Sequence, residues 1–314
     1  MFIRAHAKKR SAQPTLYTRA VRDLVIIGAG PAGLSAAIWA RTLGLSPLLL
    51  ERASEAGGQL LRIFRDVTDF PGVIAPDGRL LSDRFLAHAR HMQVEFRLGA
   101  NVAKLEAAAR KLTLTTGETI DAGAIIVASG VRPRPLGVPG EAHARTTFHG
   151  AREAFVGRRA VVIGSGDAAV ENATAIAAVT KSVTLIARGS ALRARSSLRE
   201  LLPSTVDILS STRVESIERE SDTLIVRVQG PRCPQRIVAD AVLVKIGNLP
   251  NTEAFGELQR QKDGRIAVNA KGHTSAAGVF AAGEVADGVL PRIVTAAADG
   301  AIAAREAAAF LGRW

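Results

Sequence analysis

One pattern occurs twice in this chain and restricts its fold more than any other feature. Asp23-Leu-Val-Ile-Ile-Gly-Ala-Gly-Pro-Ala-Gly33-Leu-Ser-Ala-Ala is echoed by Ala160-Val-Val-Ile-Gly-Ser-Gly166-Asp-Ala-Ala-Val-Glu-Asn-Ala173. In both, a short apolar run ends in glycines and gives way to small residues. Such a run reads as a strand buried on both faces, the glycines as a tight turn, and the small residues as a crossover helix. Helices are expected over 34–43 and 170–179, each followed by a second apolar run, Pro47–Leu50 and Val183–Ala187. The sequence therefore predicts an α/β fold with two Rossmann-like dinucleotide-binding domains.

Two proline-rich stretches bracket the second copy: Pro133-Arg-Pro135-Leu-Gly-Val-Pro139-Gly140 and Gly247-Asn-Leu-Pro250-Asn251. They place the second domain, 136–248, as an insertion in a discontinuous first domain of 23–135 and 249–314. A pair of linkers crossing between domains permits one to rotate on the other. Further strands are expected at Lys111–Thr115, Ala124–Val127, Thr223–Val228 and Ala241–Ile246, and a last helix at Ala296–Leu311. A length of 314 residues suits two such domains.

The only cysteine is Cys233, so an internal disulfide, a Cys-x-x-Cys pair and a cysteine-held zinc or iron–sulfur site are all excluded. Six histidines lie scattered without metal-ligand spacing. Of the net charge of +12, six come from Arg4, Lys8, Lys9, Arg10, Arg19 and Arg22, which precede the first acid, Asp23. Residues 1–22 are thus a basic N-terminal extension without an apolar signal core, expected as a disordered tail or an over-extended start. No basic run is interleaved with aromatics, which argues against nucleic acid as a partner. Leu24–Ala40 is uncharged but shorter than a membrane span and broken by Gly28, Gly30, Pro31 and Gly33. A cytoplasmic protein with no membrane span is expected.

In Gly28-x-Gly30-x-x-Gly33 the first glycine permits the turn and the second lets backbone approach a pyrophosphate. The third lets helix pack on strand, and the helix N-terminus meets the phosphate charge. Glu51, at the end of the next strand, would accept hydrogen bonds from ribose hydroxyls, which favours an unphosphorylated ribose. In Gly164-x-Gly166-x-x-Ala169 the third position is alanine, which the pattern tolerates. After its second strand come Arg188, Arg193 and Arg195 and no acid; such guanidinium groups suit a 2′-phosphate. One site then fits FAD and the other NADPH, the pair needed for hydride transfer to a flavin.

Further blocks carry a family resemblance: Gly57-Gly58-Gln59-Leu60, Asp69-Phe70-Pro71-Gly72, Ala128-Ser129-Gly130 with Pro133-Arg134 and Pro139-Gly140-Glu141, and Ile246-Gly247-x-x-Pro250-Asn251-Thr252. Gly278-Val-Phe-Ala-Ala-Gly283-Glu284-Val-Ala-Asp287 and Thr295-Ala-Ala-Ala-Asp-Gly300 complete them. From residue 23 to about 311 the chain resembles the thioredoxin reductase-like FAD/NAD(P)-dependent pyridine nucleotide-disulfide oxidoreductases, which include ferredoxin–NADP reductases of that type. The resemblance implies that Gly58, Gln59, Ser129 and Gly130 border FAD. It also brings the segment of Gly283 and Glu284 to the ribityl chain, and the start of the last helix, Arg292 and Ile293, to the flavin ring.

Three departures qualify it. Glu284 stands where the family usually has aspartate, and Arg292 where many members have glutamine, a cation suited to a reduced, anionic flavin. The redox Cys-x-x-Cys is replaced by Thr147-Phe148-His149-Gly150, with His149 a candidate proton donor. Without a dithiol, electrons must pass directly to an outside acceptor. Ferredoxin or flavodoxin, both acidic, fits the mildly basic body; an external disulfide, a quinone, or a non-catalytic flavin-binding role are the alternatives. The family also implies a homodimer. The chain ends 14 residues past Gly300, without the longer tail that covers the flavin in some relatives.

Overall fold

The computed structural model describes residues 22–64, 66–231, 235–286 and 290–314. The expectations for the leader before Arg22, for Cys233 and for Asp287 lie outside them. The first part of the chain runs β1 (Arg22–Ile27), α1 (Pro31–Thr42), β2 (Pro47–Leu50), α2 (Gly78–His91), β3 (Glu95–Arg97), β4 (Val102–Glu106), β5 (Lys111–Leu114), β6 (Thr119–Val127) and β7 (Val131–Pro133). It continues with β8 (Arg159–Ile163), α3 (Asp167–Ala177), β9 (Ser182–Ile186), α4 (Ser196–Glu200), β10 (Val206–Leu209), β11 (Arg213–Glu220), β12 (Thr223–Gln229), β13 (Arg236–Ala239) and β14 (Ala241–Val244). The last elements are β15 (Asn248–Pro250), β16 (Val279–Ala281) and α5 (Ile293–Phe310).

A seven-stranded sheet in the order β3-β2-β1-β6-β5-β4, with β16 beside β6, builds the first lobe. β1 pairs in parallel with β2 and β6, and its Leu24, Val25 and Ile26 are fully buried, as expected for a strand covered on both faces. β6 is longer than its apolar stretch suggests. Its first residues pair antiparallel with β5 across the Thr116-Gly117 turn, while Ile125–Val127 pair in parallel with β16. The second lobe holds the parallel sheet β10-β9-β8-β14 and the antiparallel sheet β11-β12-β13. Two apolar clusters flank the sheet of each lobe, so each has its own core.

The two-lobed α/β architecture with a Rossmann-like unit in each lobe is thus the one the repeat predicts. α1 and α5 stack on the large sheet through small residues, including Ala36, Ala40, Ala304 and Ala308, all fully buried. At their crossing a Cβ on Gly300 would stand 2.1 Å from the Ala32 carbonyl oxygen, and Ser35 Oγ donates to Ala297 O at 2.6 Å. Only glycine permits that approach.

Several elements differ from the sequence expectation. α1 begins at Pro31 and α3 at Asp167, a turn before the periodic apolar residues, because the glycine turns lead directly into the helices. α2 was not anticipated; Asp77 starts it by accepting from Leu80 N at 2.8 Å. The two linkers form an antiparallel ribbon, β7 with β15, pairing Asn248 with Pro133 and Pro250 with Val131. Each proline sits where a short ribbon can forgo its N–H.

Arg159 and Asp240 tie the start of β8 to the junction of β13 and β14. The Arg159 backbone N–H donates to Asp240 Oδ2 at 2.8 Å and its guanidinium to Oδ1 at 2.6 Å. These bonds, the guanidinium ones foremost, hold the Asp240 carboxyl down at about 2. The carboxyl ionises at lower pH folded than unfolded, so its stabilisation is complete above about pH 4 and is lost as pH falls toward 2. Asp240→Asn is expected to cost about 1 kcal/mol at pH 7, since the half-exposed partner is screened, with no difference near pH 2. Denaturant melts at the two pH values check this.

Candidate functional site

The first glycine turn sits at the carboxyl end of β1. Gly28 has φ +105°, its N–H donates to Leu50 O at 2.7 Å, and a Cβ on it would lie 2.3 Å from Ala128 O. A Cβ on Gly33 would lie 1.8 Å from Gly28 O, so α1 touches the turn through bare backbone. Gly30 and Gly58 face each other, a Cβ on Gly58 falling 3.0 Å from Gly30 Cα. α1 has no side-chain cap and no acid in its first turn, leaving its positive end available to an anion. Glu51, buried at the end of β2, accepts from Ala29 N at 2.8 Å and from Ala53 N at 2.9 Å. Both oxygens are held in place with lone pairs to spare for hydroxyl donors.

Gly28, Gly30, Glu51 and Gly58 line one cavity of 990 Å³ with Gln59, Ser129, Gly130, Gly283, Glu284, Arg292 and Ile293. Gly33 packs behind it. A cradle where several added Cβ atoms would collide, beside a helix N-terminus and a carboxylate end, fits a dinucleotide. Gln59 Nε2 donates to Glu284 Oε2 at 2.5 Å, so the extra methylene of Glu284 is taken up by reaching Gln59. Gly283 N donates to Asp299 Oδ2 at 3.3 Å, and burial pushes the Asp299 carboxyl above the usual range. Arg292 precedes α5 with its Nε 3.4 Å from Asp69 Oδ2, so its charge is shared with a carboxylate. Ser129 turns to the linker: its Oγ donates to Asn251 O at 2.8 Å, and Asn251 Nδ2 returns a bond to Ser129 O at 2.7 Å.

The second glycine turn follows β8. Gly164 has φ +148°, and a Cβ there would stand 2.1 Å from Lys245 O. Ala169 is fully buried beneath the turn, whereas Gly166 faces open space. Arg193 is drawn to the turn, its N–H donating to Ser165 O at 2.7 Å and its Nε to Ser165 Oγ at 3.2 Å. Arg188 is exposed at the end of β9. Arg195 is engaged by Asp167, Nε to Oδ2 at 2.7 Å, which leaves Arg188 and Arg193 as the guanidinium groups beside this turn without a carboxylate partner among the described residues.

These residues do not line the 990 Å³ cavity; the second lobe closes it with α3 residues such as Glu171 and Thr174, with Leu198, Leu201 and Lys245. Thr147 and Phe148, from the segment 147–150 in which the resemblance places the family's dithiol, also line it. Phe148 is buried edge-on against Phe155 with ring centroids 5.3 Å apart, and Thr147 Oγ1 is buried without a hydrogen-bond partner. His149 opens the short helical turn His149–Ala154, but its side chain lies outside the described residues. Among the described residues no cluster of His, Cys, Asp and Glu could hold a metal. Asn251, Asp299 and Lys245 were missed by sequence reasoning; Asn251 and Asp299 stood within quoted blocks, and Lys245 only as the one charge ending the apolar run from Ala241.

The paired lobes and glycine turns define a two-domain dinucleotide-binding α/β protein. The chain belongs to the pyridine nucleotide-disulphide oxidoreductase family, whose model matches residues 22–300, and is an oxidoreductase of the thioredoxin reductase type. It is 33% identical over 298 residues to thioredoxin reductase of Bacillus subtilis (strain 168), covering 91% of this chain and 93% of that one. It is 32% identical over 301 residues to the 34.2 kDa protein in the rubredoxin operon of Clostridium pasteurianum, covering 92% and 97%. Lactococcus lactis thioredoxin reductase in its FR conformation superposes with a TM-score of 0.81 at 25% identity, covering 93% of this chain and all of that one. The T. acidophilum thioredoxin reductase superposes with a TM-score of 0.80 at 26% identity, covering 91% of this chain and 97% of that one. No helix among the described residues is long and apolar enough to cross a membrane.

Proposed function

We propose that this protein is an NADPH-dependent FAD oxidoreductase that delivers electrons to an external acceptor, with ferredoxin or flavodoxin the favoured class. The observation that carries the reading is the cavity itself: dinucleotide-binding backbone forms its floor, and Thr147 and Phe148 stand in its roof where the family's thiols would be. When bound, FAD supplies a two-electron carrier between nicotinamide and acceptor. Gly28, Gly30 and the open end of α1 hold its pyrophosphate, Glu51 its adenosine ribose, and Gln59 with Glu284 the ribityl side. Arg292 and Ile293 set the start of α5 against the ring, and Ser129 and Gly130 border it from β6. Gly164, Gly166 and Ala169 seat the coenzyme, with Arg188 and Arg193 on its 2′-phosphate.

The division into 23–135 with 249–314 and an inserted 136–248 belongs to this reading. Because the second glycine turn lies off the cavity, the lobes must rotate about the β7–β15 ribbon to bring nicotinamide to the flavin. His149 remains a proton-donor candidate on the roof segment. The relative from a rubredoxin operon and the basic body support a small acidic electron carrier as acceptor. A homodimer in the cytoplasm completes the proposal.

Anaerobic titration of the purified protein with NADPH and, separately, NADH tests it. The flavin absorbance should bleach at far lower NADPH than NADH. A yellow protein that stays oxidised sinks the reductase reading, and a colourless one that cannot take up FAD sinks the cofactor assignment. With ferredoxin as acceptor, the turnover rate should fall steeply between low and physiological salt. A flat salt profile points to a quinone or an external disulfide instead.

A further inference from the structure

Lys245 follows β14 at the carboxyl edge of its sheet, anchored by its N–H to Ile163 O at 2.7 Å. Its half-buried side chain reaches into the crevice between the lobes, where its Nζ donates to the Thr146 carbonyl at 2.7 Å. That leaves two of its three N–H donors unused. Arg62, which ends the short helical turn Gly58–Arg62 of the other lobe, lines the same cavity. Burial and then the Arg62 charge push the Lys245 ammonium below its ordinary range, so the two cations feel one another.

Among the described residues neither cation has an ion-pair partner. Of the acids that line the cavity, Glu55 is held by Arg79, Asp69 by Arg292, Glu284 by Gln59 and Glu51 by backbone N–H groups; Glu171 is engaged as well, and Asp66 is exposed. Two like charges lining one crevice repel, and the repulsion becomes attraction once an anion lies between them. An ammonium offers a point charge and a guanidinium a flat pair of donors, which together match the oxygens of phosphate or carboxylate better than a spherical halide.

We propose that Lys245 and Arg62 form an oxyanion site spanning the two lobes, which takes a phosphate or carboxylate group and fastens the lobes in the arrangement described above. The site is separate from Arg188 and Arg193, which lie off the cavity. Its link to turnover rests on the proposed lobe rotation, whereas binding itself does not.

The test uses the full chain as purified, in an Arg188→Ala/Arg193→Ala background that removes phosphate binding at the coenzyme turn. Inorganic phosphate is titrated at constant ionic strength set with chloride, following the flavin absorbance and the melting temperature. A saturable change in both is expected, weakened at least tenfold by Lys245→Met and likewise by Arg62→Met, which lies at an exposed position. Acetate should give the same change if carboxylates are accepted, and phosphate alone would narrow the class. No saturable change, or one that survives both substitutions, overturns the site. NADPH bleaching of the unsubstituted protein, run alongside, separates the two ideas: normal bleaching with no phosphate response defeats only the oxyanion site. If the protein is colourless, the melting temperature still decides it.

Discussion

Changing Arg188 and Arg193 together to alanine is expected to raise the KM for NADPH by about 100-fold or more while leaving that for NADH nearly unchanged. Each guanidinium would give a phosphate one or more charge-assisted hydrogen bonds, worth roughly 1.5–3 kcal/mol apiece. Two such losses amount to about 3–6 kcal/mol of binding, and each 1.4 kcal/mol is a factor of ten. The same site in Arg195 contributes nothing to this count, because Asp167 already holds that side chain at 2.7 Å. Steady-state rates with both coenzymes check the prediction. Equal losses for NADPH and NADH would defeat the 2′-phosphate assignment.

The second large effect is steric. Gly33→Ala is expected to yield protein without bound flavin, and with a lower melting temperature, because the new Cβ would fall 1.8 Å from the Gly28 carbonyl oxygen. α1 would have to lift from the turn, at a cost of about 3 kcal/mol typical of overpacking, and its N-terminus would leave the pyrophosphate position. Gly166→Ala is the matched control. Its Cβ meets nothing within 4 Å and its backbone is extended, so the variant should fold normally and keep its flavin. The ratio of flavin to protein absorbance in the two preparations gives the answer.

Much of the fold could be read directly because it rests on local rules. The runs at Leu24–Ile27 and Val161–Ile163 are buried strands, and the glycines after them turn the chain, because the sheet excludes polar groups and the turn excludes side chains. The proline stretches were legible as connections, but their pairing as β7 and β15 was not, since it joins residues more than a hundred positions apart. α2 was obscured by its Asp77-Gly78 start, a dipeptide equally at home in a turn. At the candidate site, every cofactor residue named from the first glycine turn and the family blocks, apart from the packing residue Gly33, lines one cavity. The companions of those residues were invisible: nothing in the linear order tells that Gln59 reaches Glu284 or that Arg292 meets Asp69.

Sequence alone determined the two glycine-turn units, the absence of a dithiol anywhere in the chain and the presence of unpaired-looking arginines after the second unit, because each is a matter of composition and spacing along a backbone of known geometry. Tertiary structure decided which of those arginines remain available, that the two turns open apart and not onto one cavity, and that Lys245 and Arg62 line it from separate lobes. Charges acquire partners, and lobes acquire an orientation, only when distant segments are brought together. Coulomb and hydrogen-bond energies depend on that distance and on the water excluded between the groups, neither of which the order of residues contains.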